Sequence, residues 1–135
     1  MGNCKDYQNL VDYLDHKDCQ KLKKYIEGIR NTKSPQQRVV SEDLLDNAEI
    51  VWGKLRLLCN SKGRLLRVPS VCLGESDSFM FSWLMDGLYL ECNTFSTGEV
   101  EFFYRDKNSY KIWKDGFTVD DGFEMILDTL LTVCY

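Results

Sequence analysis

Apolar residues in the first half of the chain recur every three or four positions, which is the period of an amphipathic helix. Over residues 1–33 this period predicts a helical N-terminal region. Over residues 41–60 it predicts one long helix, for which Ser41 is a suitable N-cap because its hydroxyl can accept from a free backbone N–H group. Gly63 follows that stretch, as is typical where a helix ends.

From Arg64 onward the period of the apolar residues falls to two, which is typical of strands that bury one face. Over residues 68–116 the alternation predicts an antiparallel meander of three or four strands, with room for a further strand near residues 68–73. A last apolar stripe over residues 118–133 predicts a C-terminal helix that begins at Thr118. The order of helices, sheet and helix indicates an α+β fold with helices on one face of the sheet.

The dipeptide Asp86–Gly87 lies between two alternating runs and predicts a hairpin with a two-residue type I′ turn. The register that such a turn imposes pairs Met85 with Leu88, Trp83 with Leu90 and Phe81 with Cys92. All six side chains would share one face of the sheet. Because that face is mostly apolar, we expect it to lie on the core.

Composition supports a single folded domain over residues 1–135, since 44% of the chain is hydrophobic and 28% is charged. The net charge of −4 is unevenly distributed along the chain. Residues 1–68 carry 13 Lys and Arg against 9 Asp and Glu, whereas residues 69–135 carry 4 against 12. The excess acid therefore belongs to the predicted sheet and C-terminal helix.

No window of the sequence approaches the 18 apolar residues of a membrane span, and the first residues have no secretory apolar region. We therefore expect a cytoplasmic protein without a membrane partner. The six cysteines include no C-x-x-C pair, and His16 is the only histidine, so the sequence predicts neither a metal site nor a cofactor. Buried free cysteines are expected to act as small hydrophobic residues.

Catalytic motifs are absent from the sequence, which contains no assembled nucleophile triad, phosphate loop or dinucleotide fingerprint. Glu91, Glu99 and Glu101 would lie near one another on the outer face of the sheet, where carboxylates can serve acid–base chemistry or a hard cation. Solvent-facing strand positions explain the same residues. We therefore predict a binding protein that is not an enzyme.

The alternation that sends Phe102 inward sends Tyr89 and Phe103 outward, beside Glu91, Glu99 and Glu101. Aromatic anchors next to carboxylates suit a protein or nucleoprotein partner with a basic surface. The sequence predicts this set as the partner-binding site, unless the C-terminal helix or residues 1–31 cover it. The sequence leaves open whether the protein forms a homo-oligomer.

The alternative is a small nucleic-acid-associated regulator or antitoxin. Five basic residues without an intervening acid follow one another at the end of the long helix and in the next loop, and they could meet phosphate. They are Lys54, Arg56, Lys62, Arg64 and Arg67. Helix C-termini attract basic residues for dipole reasons alone, so a structural role explains them as well.

Four short motifs resemble a loosely defined group of small bacterial and mobile-element proteins: Val68-Pro69-Ser70-Val71, Phe81-Ser82-Trp83, Leu88-Tyr89-Leu90-Glu91 and Gly98-Glu99-Val100. The resemblance spans Val40 to Gly116, departs from the group at Ser76-Asp77-Ser78, and implies a helix with a twisted antiparallel sheet. It implies no activity and no catalytic residue. In general character the chain is also similar to phage-encoded inhibitors of host defence such as anti-CRISPR proteins, which favours inhibition by stoichiometric binding.

Overall fold

The computed structural model describes residues 24–28, 40–74, 77–114 and 116–135. The chain divides into two compact units, Met1–Arg38 and Val39–Tyr135, each described here by itself. In the first unit, residues 24–28 are helical. The rest of the predicted N-terminal helical region lies outside the described residues, as do Cys4, Cys19 and His16. The expectation of one domain over the whole chain stays a prediction.

The long helix α1 spans Glu42–Asn60 and confirms the prediction for residues 41–60. Its first turn is fixed by Ser41, whose Oγ accepts a hydrogen bond from the backbone N–H of Leu44 at 3.1 Å. Glu42 and Asp43 place negative charge beside the positive end of the helix dipole. After the helix, Gly63 takes a φ of 68°, a left-handed conformation that glycine adopts without a steric penalty.

One stripe of α1 is buried and packs against the sheet, as the apolar period predicts. The buried side chains are Leu44, Leu45, Ala48, Val51, Trp52, Leu55 and Cys59. The indole of Trp52 stacks on the ring of Phe81, with centroids 6.1 Å apart. This contact fixes which face of the sheet is the core face.

The sheet has five antiparallel strands in sequence order, one more than the upper limit of the predicted meander. The additional strand is the first one, which lies within the segment where the sequence left room for it. The strands are β1 (Ser70–Leu73), β2 (Ser78–Met85), β3 (Leu88–Phe95), β4 (Val100–Arg105) and β5 (Tyr110–Trp113). Together with the helices they confirm the α+β fold class.

The β2–β3 hairpin has the predicted register. Phe81 lies opposite Cys92, Trp83 opposite Leu90 and Met85 opposite Leu88. The predicted type I′ turn is wrong, because that turn needs a positive φ at both central residues and only Gly87, at 82°, has one. Asp86 does not have a positive φ, so Gly87 alone supplies the left-handed residue of this turn.

The C-terminal segment is helical over a shorter range than the predicted 118–133. Thr118 pairs with Glu99 in an isolated β-bridge, and its backbone N–H donates to Asp121 Oδ2 at 2.7 Å, so these residues form a turn instead of a helix cap. A 3₁₀ turn over Glu124–Ile126 leads into the short helix α2, Leu127–Leu131. The predicted apolar stripe is nevertheless buried, at Val119, Phe123, Ile126, Leu130 and Val133.

Helix α1 and the C-terminal segment pack on the same face of the sheet. Phe123 meets the ring of Phe102 edge-on, with centroids 5.4 Å apart. Phe102 is buried together with Phe81, which contacts α1. In the part of the chain that the structure describes, no helix combines the length and apolar character needed to cross a bilayer.

Candidate protein-binding surface

Most of the sheet side chains that point away from α1 form three rows, which we call the open face. The assignment follows from the register, because residues directly opposite each other on paired strands share a face. The first row is Leu84, Tyr89, Arg105 and Tyr110; the second is Ser70, Ser82, Glu91, Phe103 and Ile112; the third is Cys72, Met80, Asn93 and Glu101.

Large apolar side chains are exposed on the open face. Leu84 is 80% exposed, Tyr110 is 71% exposed and Ile112 is 48% exposed. By contrast, the core-face residues of β2 and β4 are almost completely buried, with Phe81 at 0% and Phe102 at 1%, whereas the edge strand β5 is exposed on both sides around Lys111. Tyr110 and Ile112 are on the edge strand, whereas Leu84 is separated from Tyr110 by Tyr89 and Arg105 in the first row. Exposed apolar patches on a protein surface often mark a binding site.

The predicted alternative in which the C-terminal helix covers this face is wrong. The C-terminal segment packs on the core face through Phe123. Its last residues pair with the chain after α1, where Tyr135 donates its backbone N–H to the carbonyl of Leu65 at 2.9 Å. Residues 1–31 are the other segment that we considered as a cover for this face, and most of them lie outside the described residues.

A hydrogen-bonded cluster on β3 occupies the middle of the open face. The hydroxyl of Tyr89 donates to Glu91 Oε1 at 2.6 Å, and the amide of Asn93 donates to Glu91 Oε2 at 2.6 Å. Successive side chains on one face of a strand are two residues apart, so this spacing brings the three groups together. Both carboxylate oxygens are engaged, which holds Glu91 in one orientation.

The same cluster changes the acidity of its tyrosine. Partial burial, followed by the hydrogen bond to Glu91 and the negative charge of that residue, raises the pKa of Tyr89 to about 12. The phenol therefore stays a donor throughout the neutral range. Across the strand pair, the ring of Phe103 lies 6.2 Å from that of Tyr89, centroid to centroid. The cluster presents a fixed carboxylate beside two packed rings.

Glu99 and Glu101 occupy different positions relative to this cluster. Glu101 lies on β4 opposite Asn93 and is half-buried. Glu99 is exposed directly before β4, where it pairs with Thr118, and it lies outside the three rows. Among the residues that the structure describes, no three His, Cys, Asp or Glu side chains are grouped so that they could hold a metal ion.

The basic residues of the alternative site make contacts within the fold. Lys54 Nζ donates to the carbonyl of Asp121 at 3.1 Å, and the Arg56 guanidinium lies over the Trp52 ring. These two side chains therefore lie against different neighbours, and they do not form a continuous basic strip.

The other two arginines meet the end of the described chain. Arg64 Nε donates to the carbonyl of Tyr135 at 3.0 Å, and the Arg67 guanidinium stacks over its ring, 4.2 Å from the centroid. Lys62 is exposed at the turn after α1. Arg64 and Arg67 thus come together at Tyr135, whereas Lys54 and Arg56 contact other parts of the fold.

A recess of about 250 Å³ adjoins one end of the open face. Among the residues that line it are Ser82 and Leu84 on β2, together with Arg67 and Tyr135. Leu84 thus belongs both to the exposed apolar row and to the rim of a depression. The lining of this recess is more polar than apolar, so it would accept a polar side chain from a partner.

Sequence reasoning placed Tyr89, Glu91 and Phe103 together and missed the exposed apolar residues. The strand register is the signal that could have identified them. In the hairpin it puts Leu84 opposite Tyr89 on the outer face of the sheet. Extending the register to β5 places Tyr110 and Ile112 in the same rows. Comparisons of the chain with protein-family models, with curated proteins and with solved structures found no match.

Proposed function

We propose that this protein acts without catalysis, by stoichiometric binding of a larger protein or nucleoprotein through the open face. The observation that carries the proposal is the exposure of Leu84, Tyr110 and Ile112 on one face of the sheet. Folding leaves this apolar area in water, and association with a partner would remove it.

The composition of the open face favours a protein partner with a basic contact surface. Aromatic side chains in packed surroundings are the usual anchors of protein interfaces, and Tyr89 and Phe103 support each other in this way. Glu91, Glu101 and the neighbouring Glu99 supply negative charge, against Arg105 on the face and Arg67 in the adjoining recess. Carboxylates on a binding surface speed association with a positively charged surface and reject acidic ones.

The fixed geometry of the central cluster also suits binding. Glu91 accepts two hydrogen bonds from its own strand, so its carboxylate does not have to be ordered when a partner arrives. Lower ordering costs leave more of the interaction energy available as affinity. Inhibition of a host-defence assembly by a phage or mobile element is the setting in which we propose that this binding operates.

The test compares two exposed leucines that differ mainly in location. Leu84 is 80% exposed on the open face, whereas Leu57 is 69% exposed on α1. Tagged wild-type protein, Leu84→Asp and Leu57→Asp are each incubated with lysate of the source cell. Material that is retained is then sized by gel filtration. We expect a partner in fixed molar ratio with the wild type and Leu57→Asp, and its loss with Leu84→Asp.

Two further outcomes separate the proposal from its competitors. Equal recovery of the same partner by Leu84→Asp would place the contact elsewhere and overturn the proposed surface. Recovery that disappears after nuclease treatment, with a steep dependence on salt, would favour the nucleic-acid alternative. Both leucine variants should unfold at the wild-type denaturant concentration, because exposed substitutions usually change stability by less than about 0.5 kcal/mol.

A further inference from the structure

Two buried cysteines from distant parts of the chain face each other in the second unit. The Sγ atoms of Cys59 and Cys134 lie 3.3 Å apart, although 75 positions separate these residues. Cys59 is completely buried near the end of α1, and Cys134 is 6% exposed. The other described cysteines lack this arrangement, since Cys72 is exposed on β1 and Cys92 is buried on β3.

Backbone pairing fixes this arrangement from both sides. The carbonyl of Cys59 accepts from the backbone N–H groups of Lys62 and Arg64, each at 3.0 Å, which turns the chain back after α1. The chain that follows forms an antiparallel bridge in which Leu66 pairs with Cys134. The Tyr135 N–H bond to Leu65 is part of the same pairing, which brings Cys134 over the end of the helix.

We propose that Cys59 and Cys134 form a redox-active dithiol that hydroperoxides oxidise to an intramolecular disulfide. The sulfurs must approach by little more than 1 Å, because a disulfide bond is about 2.05 Å long. Cys134 is the sulfur that we assign to the first attack, since it is the more exposed of the two.

The electrostatics of the pair agree with this order. In the thiol form Cys134 donates to Cys59, and once ionised its thiolate can accept from the Cys59 thiol; this hydrogen bond, helped by the nearby guanidinium groups of Arg64 and Arg67, lowers the pKa of Cys134. The same hydrogen bond and burial raise the pKa of Cys59, which therefore keeps its proton. The thiolate is the reactive form of cysteine, so Cys134 is the nucleophile and Cys59 the resolving residue.

The reaction proceeds in two balanced steps. The Cys134 thiolate attacks one peroxide oxygen, the O–O bond breaks, and the departing hydroxide or alkoxide takes a proton, which leaves Cys134 as a sulfenic acid. Cys59 then attacks Sγ of Cys134. The S–O bond breaks, and the departing hydroxide takes the proton of Cys59 to form water. Two thiols are oxidised to one disulfide, and one peroxide is reduced.

The disulfide would tie the end of α1 to the bridge at Cys134 and close a long loop. Cross-links of this length stabilise a fold chiefly by restricting the unfolded chain. For a chain of this size we expect the melting temperature to rise by on the order of 10 °C. Thiol reductants should reverse the shift.

The experiment treats the folded, reduced protein with hydrogen peroxide, blocks the remaining thiols with an alkylating reagent and maps the tryptic peptides. We expect a linked species, lighter by two hydrogen atoms than its parts, that joins residues 57–62 to the peptide following Lys114. Cys72→Ser should keep this link, and Cys134→Ser should lose it together with the rise in melting temperature.

The wild-type measurement decides the question even if Cys134→Ser folds poorly. The exposed Cys72 reports that peroxide has reached the protein, because its oxidation is visible in the same peptide map. If Cys72 is oxidised while Cys59 and Cys134 both remain open to alkylation on unfolding, the proposal is overturned. A predominant cross-link between any other pair of cysteines would overturn it as well.

Discussion

The two faces of the sheet are built from the same strands and lie in different surroundings. On the core face, Phe81 and Phe102 are buried beneath α1 and the C-terminal segment. On the open face, Leu84 and Tyr110 are mostly exposed. Apolar area stabilises a fold by about 25 cal/mol per Å² only when it is removed from water. The core face therefore supplies stability, whereas the open face leaves apolar area in contact with water.

The largest expected difference between the faces is in stability. Phe81→Ala should lower the free energy of unfolding by about 3–5 kcal/mol, because it leaves a cavity between Trp52 and the sheet. Leu84→Ala, on the same strand, should change it by less than about 0.5 kcal/mol. Urea denaturation followed by tryptophan fluorescence measures both values. A loss of several kcal/mol for Leu84→Ala would mean that the open face is part of a core.

Much of the core face could be predicted from the sequence because local chemistry determines it. Ser41 caps α1 through a contact only three residues away, and the two-residue loop at Asp86–Gly87 fixes the strand register. The predicted turn type was wrong because a two-residue loop can form more than one type of turn, so loop length alone does not determine the type. The C-terminal helix was too long because Thr118 pairs with Glu99, a distant contact that the apolar period does not reveal.

The open face was only partly predictable for a similar reason. Alternation along β3 and β4 identifies Tyr89, Glu91 and Phe103 as outward-facing residues, because successive side chains of a strand point to opposite faces of the sheet. Whether a face is covered depends on where the helices pack, and that requires contacts across the whole unit. The sequence therefore left the exposed apolar residues Leu84 and Tyr110 unassigned, although the register places Leu84 opposite Tyr89 and Tyr110 opposite Arg105.

Charge on the open side gives the next largest expected effect. The double variant Glu99→Lys with Glu101→Lys should slow association with the captured partner by about tenfold at low salt, because complementary charge steers encounter. The control, Asp120→Lys with Asp128→Lys, makes the same change in net charge at exposed positions of the C-terminal segment. Stopped-flow association at two ionic strengths measures both. Equal slowing by the two pairs would assign the effect to net charge alone.

The smallest expected effect concerns the pH dependence of the tyrosine in the central cluster. An unfolded tyrosine ionises near pH 10, whereas the pKa of Tyr89 in the fold is about 12. The unfolded state therefore loses its proton first, and the contribution of this group to stability falls as pH rises from about 10 to about 12. Because Tyr89 is largely solvated, screening should limit this contribution to less than about 1 kcal/mol.

The measurement for this effect is the slope of unfolding free energy against pH in the alkaline range. Tyr89→Phe should show a shallower decline than the wild type, since phenylalanine has no proton to lose. Tyr110→Phe is the matched control, because Tyr110 lies in the same row and is 71% exposed. Identical slopes for the wild type and Tyr89→Phe would show that the bond to Glu91 does not perturb the tyrosine.

The most direct test of the central claim is photo-crosslinking in the source cell. A photoreactive benzophenone amino acid replaces Leu84 on the open face in one variant and Leu57 on α1 in the other. We expect one protein to be joined in high yield at position 84 and not at position 57, at a contact rich in Lys and Arg. Equal yields at both positions, or a product only at position 57, would contradict the assignment of the open face as the binding surface.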